Sequence, residues 1–285
     1  VETSRWKTPG KREPDSALTS NSLKPVISLI PYLNALPLTH FLNTKNSTYA
    51  VTTDVPSESC NKLAAGRVDA GLVSSISLPE IPDVCAVDGV CIASEGPVES
   101  VLLFSEKSPD QIHSIGLDPA SRTSNVLIQI LMSRWVKEKC RFLPFQGELA
   151  EGMREMDGVL LIGDRAFRSA MENPAIVAMD LASEWKTFTG CPFVFAMWGL
   201  RRTSSLSPDI FREAMESGME KRIEIADQFS RENQFTKHQQ QLTRRYLTRN
   251  LHYTFGPRER KGLFLFFRYA TEMGLIHPSN ELNFI

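Results

Sequence analysis

The chain has 285 residues, 42% hydrophobic and 23% charged, with a formal net charge of −1. That length is too great for one simple core and comfortable for two lobes. The charge balance gives no field directed at nucleic acid or an anionic membrane surface, and no apolar run reaches the ~18 residues of a membrane helix.

Residues 1–24 are polar, with Pro9, Pro14 and a Ser-Asn-Ser run, and are expected to form a disordered extension. Val26–Ile30 is an apolar run suited to a buried strand. A loop through Tyr32 and Asn34 follows, then about two helical turns carrying Leu38, Phe41 and Leu42. Tyr49–Thr53 is a second strand. A helix from Ser57 stops at Gly66, and Val68–Val73 is a third strand that ends at Ser74-Ser75. Val84–Ala93 and Ser100–Phe104 are strands separated by the turn Glu95-Gly96-Pro97.

The alternation then restarts. Ser114–Leu117, Gly158–Gly163 and Ile176–Met179 are strands, with helices over Ser124–Lys137 and Glu148–Met156. Phe193–Gly199 is a return strand. Beyond 205 the pattern is helical, over 208–232, 235–250 and 256–274. The last of these carries Leu263, Phe264, Phe266, Phe267, Tyr269 and Met273 around much of its circumference, so it is expected to be buried.

Two βα series joined by two connecting strands imply an α/β chain with a two-lobed, solute-binding-protein-like architecture and a helical C-terminal segment. The expected division is 25–104 plus 193–285 for one lobe and 105–192 for the other. Ligands in such folds sit at strand C-terminal ends and helix N-termini, where free N–H groups face the cleft.

Six segments reach that level. Tyr32 and Asn34 follow the first strand. Asn34 either bonds a ligand or caps the helix, and a helix beginning at Pro37 would free it. Ser74 and Ser75 end the third strand. Ser94–Ser100 carries Glu95 and Glu99, either a base or solvated turn residues, and brings Ser100 to the hinge. Ser121, Arg122, Thr123 and Ser124 place three hydroxyls and a guanidinium in the first turn of a helix, a ready anion site. Gly163-Asp164 ends a buried strand. Phe193, among the aromatics of 185–198, walls a flat ligand or belongs to the core.

No Walker loop, GxGxxG, GxSxG or HExxH is present, and the five histidines are scattered. Five cysteines without a CxxC pair argue against a disulfide framework or a zinc site and for reduced thiols in the cytoplasm. Neither a metal nor a cofactor is expected.

Read together, the segments Tyr-Leu-Asn-Ala-Leu-Pro-Leu (32–38), Val-Pro-Ser (55–57), Ala-Gly-Arg-Val-Asp-Ala-Gly-Leu-Val (65–73), Gly-Pro-Val-Glu-Ser (96–100), Asp-Pro-Ala-Ser-Arg-Thr-Ser (118–124), Leu-Leu-Ile-Gly-Asp (160–164) and Thr-Gly-Cys-Pro-Phe-Val-Phe-Ala-Met-Trp (189–198) resemble the menaquinone biosynthesis family MqnA, the chorismate dehydratases of the futalosine route. Tyr246–Leu251 and Gly256–Leu275 fit that family's helical tail. The resemblance spans about 26–275. It implies a periplasmic-binding-protein-like (type II) fold in an enzyme, and loss of water from chorismate to give 3-[(1-carboxyvinyl)oxy]benzoate. It also implies that the key Asn and Ser fall on Asn34 and Ser100 and that the ligand-contacting hydroxyls fall on Ser121–Ser124. Glu95 stands where Asp is expected, so no catalytic role is carried onto it. The expected partner is chorismate alone, with no nucleic acid or membrane, in a monomer or homodimer. The rival readings are a non-catalytic carrier of a small carboxylate and the sister enzyme that forms dihydroxynaphthoate.

Overall fold

The computed structural model describes residues 24–42, 48–135, 140–173, 176, 178–277 and 281–285. The expected N-terminal extension lies outside the described residues except for Lys24.

The first series is β1 (Val26–Leu29), α1 (Leu36–Thr39), β2 (Ala50–Thr53), α2 (Pro56–Ala64) and β3 (Ala70–Ser74), followed by a 3-10 turn at Ser75–Glu80 and strands β4 (Val84–Ala86) and β5 (Val90–Ser94). The single strand expected over 84–93 is broken, because Gly89 takes a left-handed φ of 85°.

The second series is β6 (Val101–Phe104), β7 (Ser114–Leu117), α3 (Arg122–Trp135), β8 (Arg141–Pro144), α4 (Leu149–Glu155), β9 (Gly158–Ile162), α5 (Gly163–Glu172), β10 (Ala178–Asp180) and α6 (Leu181–Thr189). The chain returns through β11 (Phe193–Arg201). It ends in α7 (Asp209–Glu220), α8 (Arg222–Glu232), α9 (Lys237–Arg245), a π-turn at Tyr246–Asn250, β12 (His252–Thr254) and α10 (Pro257–Glu272).

Two sheets result. The first runs β12-β5-β11-β3-β1-β2, with β4 also on β11; the second runs β10-β6-β9-β7-β8. β1 is parallel to β2 and β3, and β7 is parallel to β8 and β9, as the alternating series require. β11 lies antiparallel between β3 and β5 and closes the first sheet. β6 pairs with β9 and β10, so the chain passes from the first sheet to the second between Ser94 and Val101.

Aromatic packing fastens the C-terminal helices to the crossings. Trp185 is fully buried and meets Phe193 and Phe266 edge-on at 5.4 and 5.9 Å. Gly262 of α10 lies so close to the second crossing that a Cβ there would stand 2.2 Å from the Pro192 carbonyl oxygen. α10 is less enclosed than its composition suggests. Leu263 and Phe266 are buried, but Phe264 is exposed, as is Met273 just past the helix end. The five cysteines are free and buried.

Candidate active site

A cavity partly open to solvent lies where the two sheets meet. Tyr32, Asn34, Ser74, Ser100, Ser121, Ser124 and Gly163 line it, so seven of the sequence-derived candidates converge there. Ile30, Leu72, Ile92, Val98, Ile162 and Phe195 are among its apolar walls. Its described lining carries five hydroxyls and one carboxamide but no charged side chain.

Each polar group owes its position to a local feature. α1 begins at Leu36 with Ala35 as its cap and no side-chain cap bond, which leaves Asn34 free of capping. Asn34 Oδ1 is buried without a hydrogen-bond partner. A buried acceptor left unfilled costs about 1–3 kcal/mol, a cost that a ligand donor would remove.

Ser100 is held from several sides. The preceding Val98 and Glu99 N–H groups donate to Asp180 Oδ2 at 2.8 and 2.6 Å. Glu99 takes a left-handed φ of 59°, which re-aims the chain at the change of sheet. The Ser100 carbonyl accepts from Gly163 N–H at 2.7 Å, and its Oγ accepts from the Tyr246 hydroxyl at 2.6 Å.

Ser121 receives the Ser124 N–H at 3.2 Å and donates its own hydroxyl to Ser124 Oγ at 2.9 Å. The capping serine therefore opens α3 beside the cavity, where the free N–H groups of the first turn favour an anion. Gly163 has φ +58°, and a Cβ there would crowd the Tyr32 ring at 3.3 Å, so glycine lets that ring lie against the start of α5. Burial, and then the Asp118 and Asp164 carboxylates, push the Tyr32 phenol above its ordinary pKa, so it stays a donor.

Five candidates do not line the cavity. Ser75 donates to the Val194 carbonyl at 2.7 Å and lies 3.5 Å from Thr123 Oγ1, which also accepts the Ile76 N–H at 3.4 Å. Thr123 is thus drawn toward the 3-10 turn. Arg122 is drawn the same way, donating to Ser77 Oγ at 3.2 Å and pairing with Glu80 at 2.6 Å. Helical geometry explains the split, since Ser121 and Ser124 share a face that the two intervening residues do not. Asp164 accepts the Leu33 N–H at 3.1 Å and clips the first lobe to the second. Burial raises its pKa against that bond and the Arg168 charge. Phe193 is core, packed on Trp185, Phe195 and Phe266. Its place in the cavity wall is taken by Phe195 and Ala196, because the register of β11 on β5 slips between Val194 and Ala196.

Glu95 also lies outside the cavity. It is held by Lys186 and by the guanidinium of Arg258, each at 2.8 Å, and these partners lower its pKa to about 2. Tyr246 was not singled out from the sequence, where it stands 146 positions from Ser100.

Two α/β lobes with a hydroxyl-rich pocket between them define the class: a two-lobed, periplasmic-binding-protein-like fold. Its likeness to solved structures agrees. A protein from Archaeoglobus fulgidus aligns with TM-score 0.68 at 14% identity, over 90% of this chain and all of that one. A Candida albicans gene product described as having the generic periplasmic binding protein fold aligns with TM-score 0.62 at 11% identity, over 90% of this chain and 92% of its own. The sequence narrows the class. The model of the menaquinone biosynthesis family matches residues 25–272, and this chain belongs to that family. A chorismate dehydratase from Thermus thermophilus is 31% identical over 227 residues, covering 71% of this chain and 80% of that relative.

Proposed function

We propose that the chain is a chorismate dehydratase, a carbon–oxygen lyase that converts chorismate to 3-[(1-carboxyvinyl)oxy]benzoate and water in the futalosine route to menaquinone. One observation carries the reading within the family. The cavity presents five hydroxyls and a carboxamide with an unfilled buried acceptor, and its described lining contains no ionisable carboxylate, imidazole or amine. Chorismate brings two carboxylates, a ring hydroxyl and an enolpyruvyl ether, which match neutral donors, helix-end N–H groups and an acceptor for the hydroxyl.

The chemistry asks little of the protein beyond placement. The C–H bond at the ether-bearing ring carbon breaks and its electron pair forms the new ring double bond. The neighbouring C–O bond breaks, and the departing hydroxide takes up a proton to leave as water. The product is aromatic. Orientation in a dry pocket contributes several kcal/mol, up to about 7–11 in the best cases.

Since the described lining offers no base, the substrate's own enolpyruvyl carboxylate accepts the ring proton, with Asn34 and Ser100 holding the reacting groups and a hydroxyl assisting departure of water. Asp164 as base is disfavoured by its bond to Leu33 N–H and its place outside the lining. Glu95 is disfavoured by its two cations. A pH–rate profile whose carboxylate ionisation disappears in Asp164→Asn or Glu95→Gln would restore an enzymatic base.

The deciding experiment is incubation of the protein with chorismate, followed by absorbance and mass spectrometry. Loss of one water with appearance of an aromatic product is expected. Binding without conversion would make the chain a carrier. Inertness toward chorismate with activity on the cyclic futalosine derivative would select the sister enzyme.

A further inference from the structure

We propose that Tyr246 and Tyr253, two buried phenols of the C-terminal segment, are positioning residues for Ser100 and Asn34 respectively, an inference that rests on the dehydratase reading above. Both rings are fully enclosed, with exposures of 1% and 0%. The Tyr246 hydroxyl donates to Ser100 Oγ at 2.6 Å, and the Tyr253 hydroxyl donates to the Asn34 backbone carbonyl at 3.0 Å. One short stretch of chain therefore reaches both of the residues assigned to the reaction, from behind the cavity.

The local structure explains how. α9 would end its regular bonding near Arg245, but the next turn widens to a π-turn over Tyr246–Asn250, closed by Leu251 N–H on the Tyr246 carbonyl at 3.3 Å. Such widened turns re-aim side chains and recur at functional sites. β12 follows at once and pairs with β5, whose Ile92 lines the cavity. Tyr246 is further fixed by the Phe167 ring at 4.9 Å, and Phe167 belongs to α5, the helix whose first N–H holds the Ser100 carbonyl.

The direction of the Tyr246–Ser100 bond follows from satisfaction. Burial raises the phenol's pKa far above the working range, and the Asp164, Asp180 and Glu99 carboxylates push it the same way against the Ser100 bond, so the hydroxyl keeps its proton. Among the described residues Ser100 is its sole hydrogen-bond partner, and a buried phenol that did not donate there would leave its proton unpaired. Ser100 therefore accepts from behind, and its own O–H is free to donate into the cavity. Remove the phenol and Ser100 can rotate to satisfy its acceptor elsewhere. Tyr253 acts on the Asn34 peptide, and so on the direction in which the carboxamide enters the cavity.

The test is a set of variants assayed with chorismate, using single turnovers with excess enzyme so that slow forms remain readable. Tyr246→Phe should lower the rate of the chemical step about tenfold, with apparent affinity within threefold of wild type, and Tyr253→Phe should lower it about threefold. In a Ser100→Ala background, Tyr246→Phe should change the rate less than twofold, because its effect passes through Ser100. A Tyr246→Phe rate within twofold of wild type would overturn the proposal. So would the same tenfold loss in both backgrounds, which marks a merely structural tyrosine. Should the wild type fail to dehydrate chorismate, the functional reading falls instead. A crystal structure of Tyr246→Phe then decides positioning: a displaced Ser100 side chain supports it, and an unchanged rotamer overturns it.

Discussion

Two polar regions meet at the junction of the lobes, and they differ in how their hydrogen bonds are spent. In the belt around the cavity the polar groups are paired with protein: Asp164 with Leu33 N–H, Thr123 with Ile76 N–H and Ser75, Arg122 with Ser77 and Glu80, and Glu95 with Lys186 and Arg258. In the cavity wall Asn34 Oδ1 is buried and unpaired, and the hydroxyls of Ser100, Ser121 and Ser124 are bonded mainly to groups that orient them. The belt's bonds join the two lobes, whereas the wall leaves a buried acceptor unfilled, which on the proposed function a ligand would meet. Changes in the wall should therefore cost turnover and little stability, and changes in the belt should leave kcat nearly intact.

The largest expected effect is at Asn34. Asn34→Ala should lower kcat about 100-fold, the scale of losing one well-aimed polar group at a reacting centre, with substrate binding retained. Because the deleted acceptor is unfilled, the urea midpoint should stay level or rise slightly. Turnover within about threefold of wild type, roughly 0.65 kcal/mol, would remove Asn34 from the reaction. A lost midpoint with kcat retained would move it into the belt.

The next effect belongs to Asp180, which joins both regions by holding the Val98 and Glu99 N–H groups and capping α6 through Ala182 and Ser183. Burial outweighs these four donors and raises its pKa from 3.8 to about 6. A raised carboxyl pKa means that the folded state holds its proton more tightly than the unfolded chain. The associated stability is present below about pH 4 and is lost as pH rises through about 6. The difference amounts to about 3 kcal/mol. Asp180→Asn should remove this slope, so its urea midpoint should gain on wild type between pH 4 and pH 6.5. Parallel profiles across that window would show that the carboxyl is not perturbed by burial.

Much of the wall was legible in the sequence because its parts are local. An apolar strand followed by Tyr-Leu-Asn, and a strand followed by three hydroxyls, announce cleft-edge loops wherever βα units occur. The same clues could not separate wall from belt. Residues 121–124 read as one cluster, and only the helical phase of α3 sends Ser121 and Ser124 inward and Arg122 and Thr123 toward the 3-10 turn. Phe193 and Phe195 are equivalent by alternation until the register slip in β11 separates them. β8 was missed because Arg141–Pro144 is a four-residue edge strand with hardly any buried face. α5 begins at Gly163 with no side-chain cap to mark it, whereas α6 did carry its signals, the capping Asp180 and the closing Gly190, and was missed because the strand before it is only three residues long. Tyr246 had no local signal, since its role depends on a contact across 146 positions and on a π-turn that no periodicity announces.

A smaller effect should follow from loosening the belt at Thr123. Its bonds to Ile76 N–H and Ser75 are long, 3.4 and 3.5 Å, so Thr123→Val should cost about 1 kcal/mol of stability at most. The lobes would then meet less firmly around the substrate. KM should rise a few-fold in steady-state assays while kcat stays within twofold. A kcat loss comparable with that of Asn34→Ala would mean that Thr123 acts on the substrate and that the division between wall and belt is wrongly drawn.

The smallest effect is expected at Glu95, and it tests the division from the side of charge. The residue lies in the turn that leads to Ser100, so proximity in sequence makes it an attractive base. Its oxygens, however, are held by Lys186 and Arg258, and those partners keep it ionised down to about pH 2. A carboxylate so paired is a poor proton acceptor near neutrality, because taking a proton would break both bonds to cations. Exposed pairs of this kind also contribute little to stability. Glu95→Gln should therefore leave kcat within twofold and the shape of the pH–rate profile unchanged from pH 5 to pH 9. If that one substitution abolished an ionisation seen in the wild type, the proton would be passing through the belt, and the substrate carboxylate would lose its assigned part in the elimination.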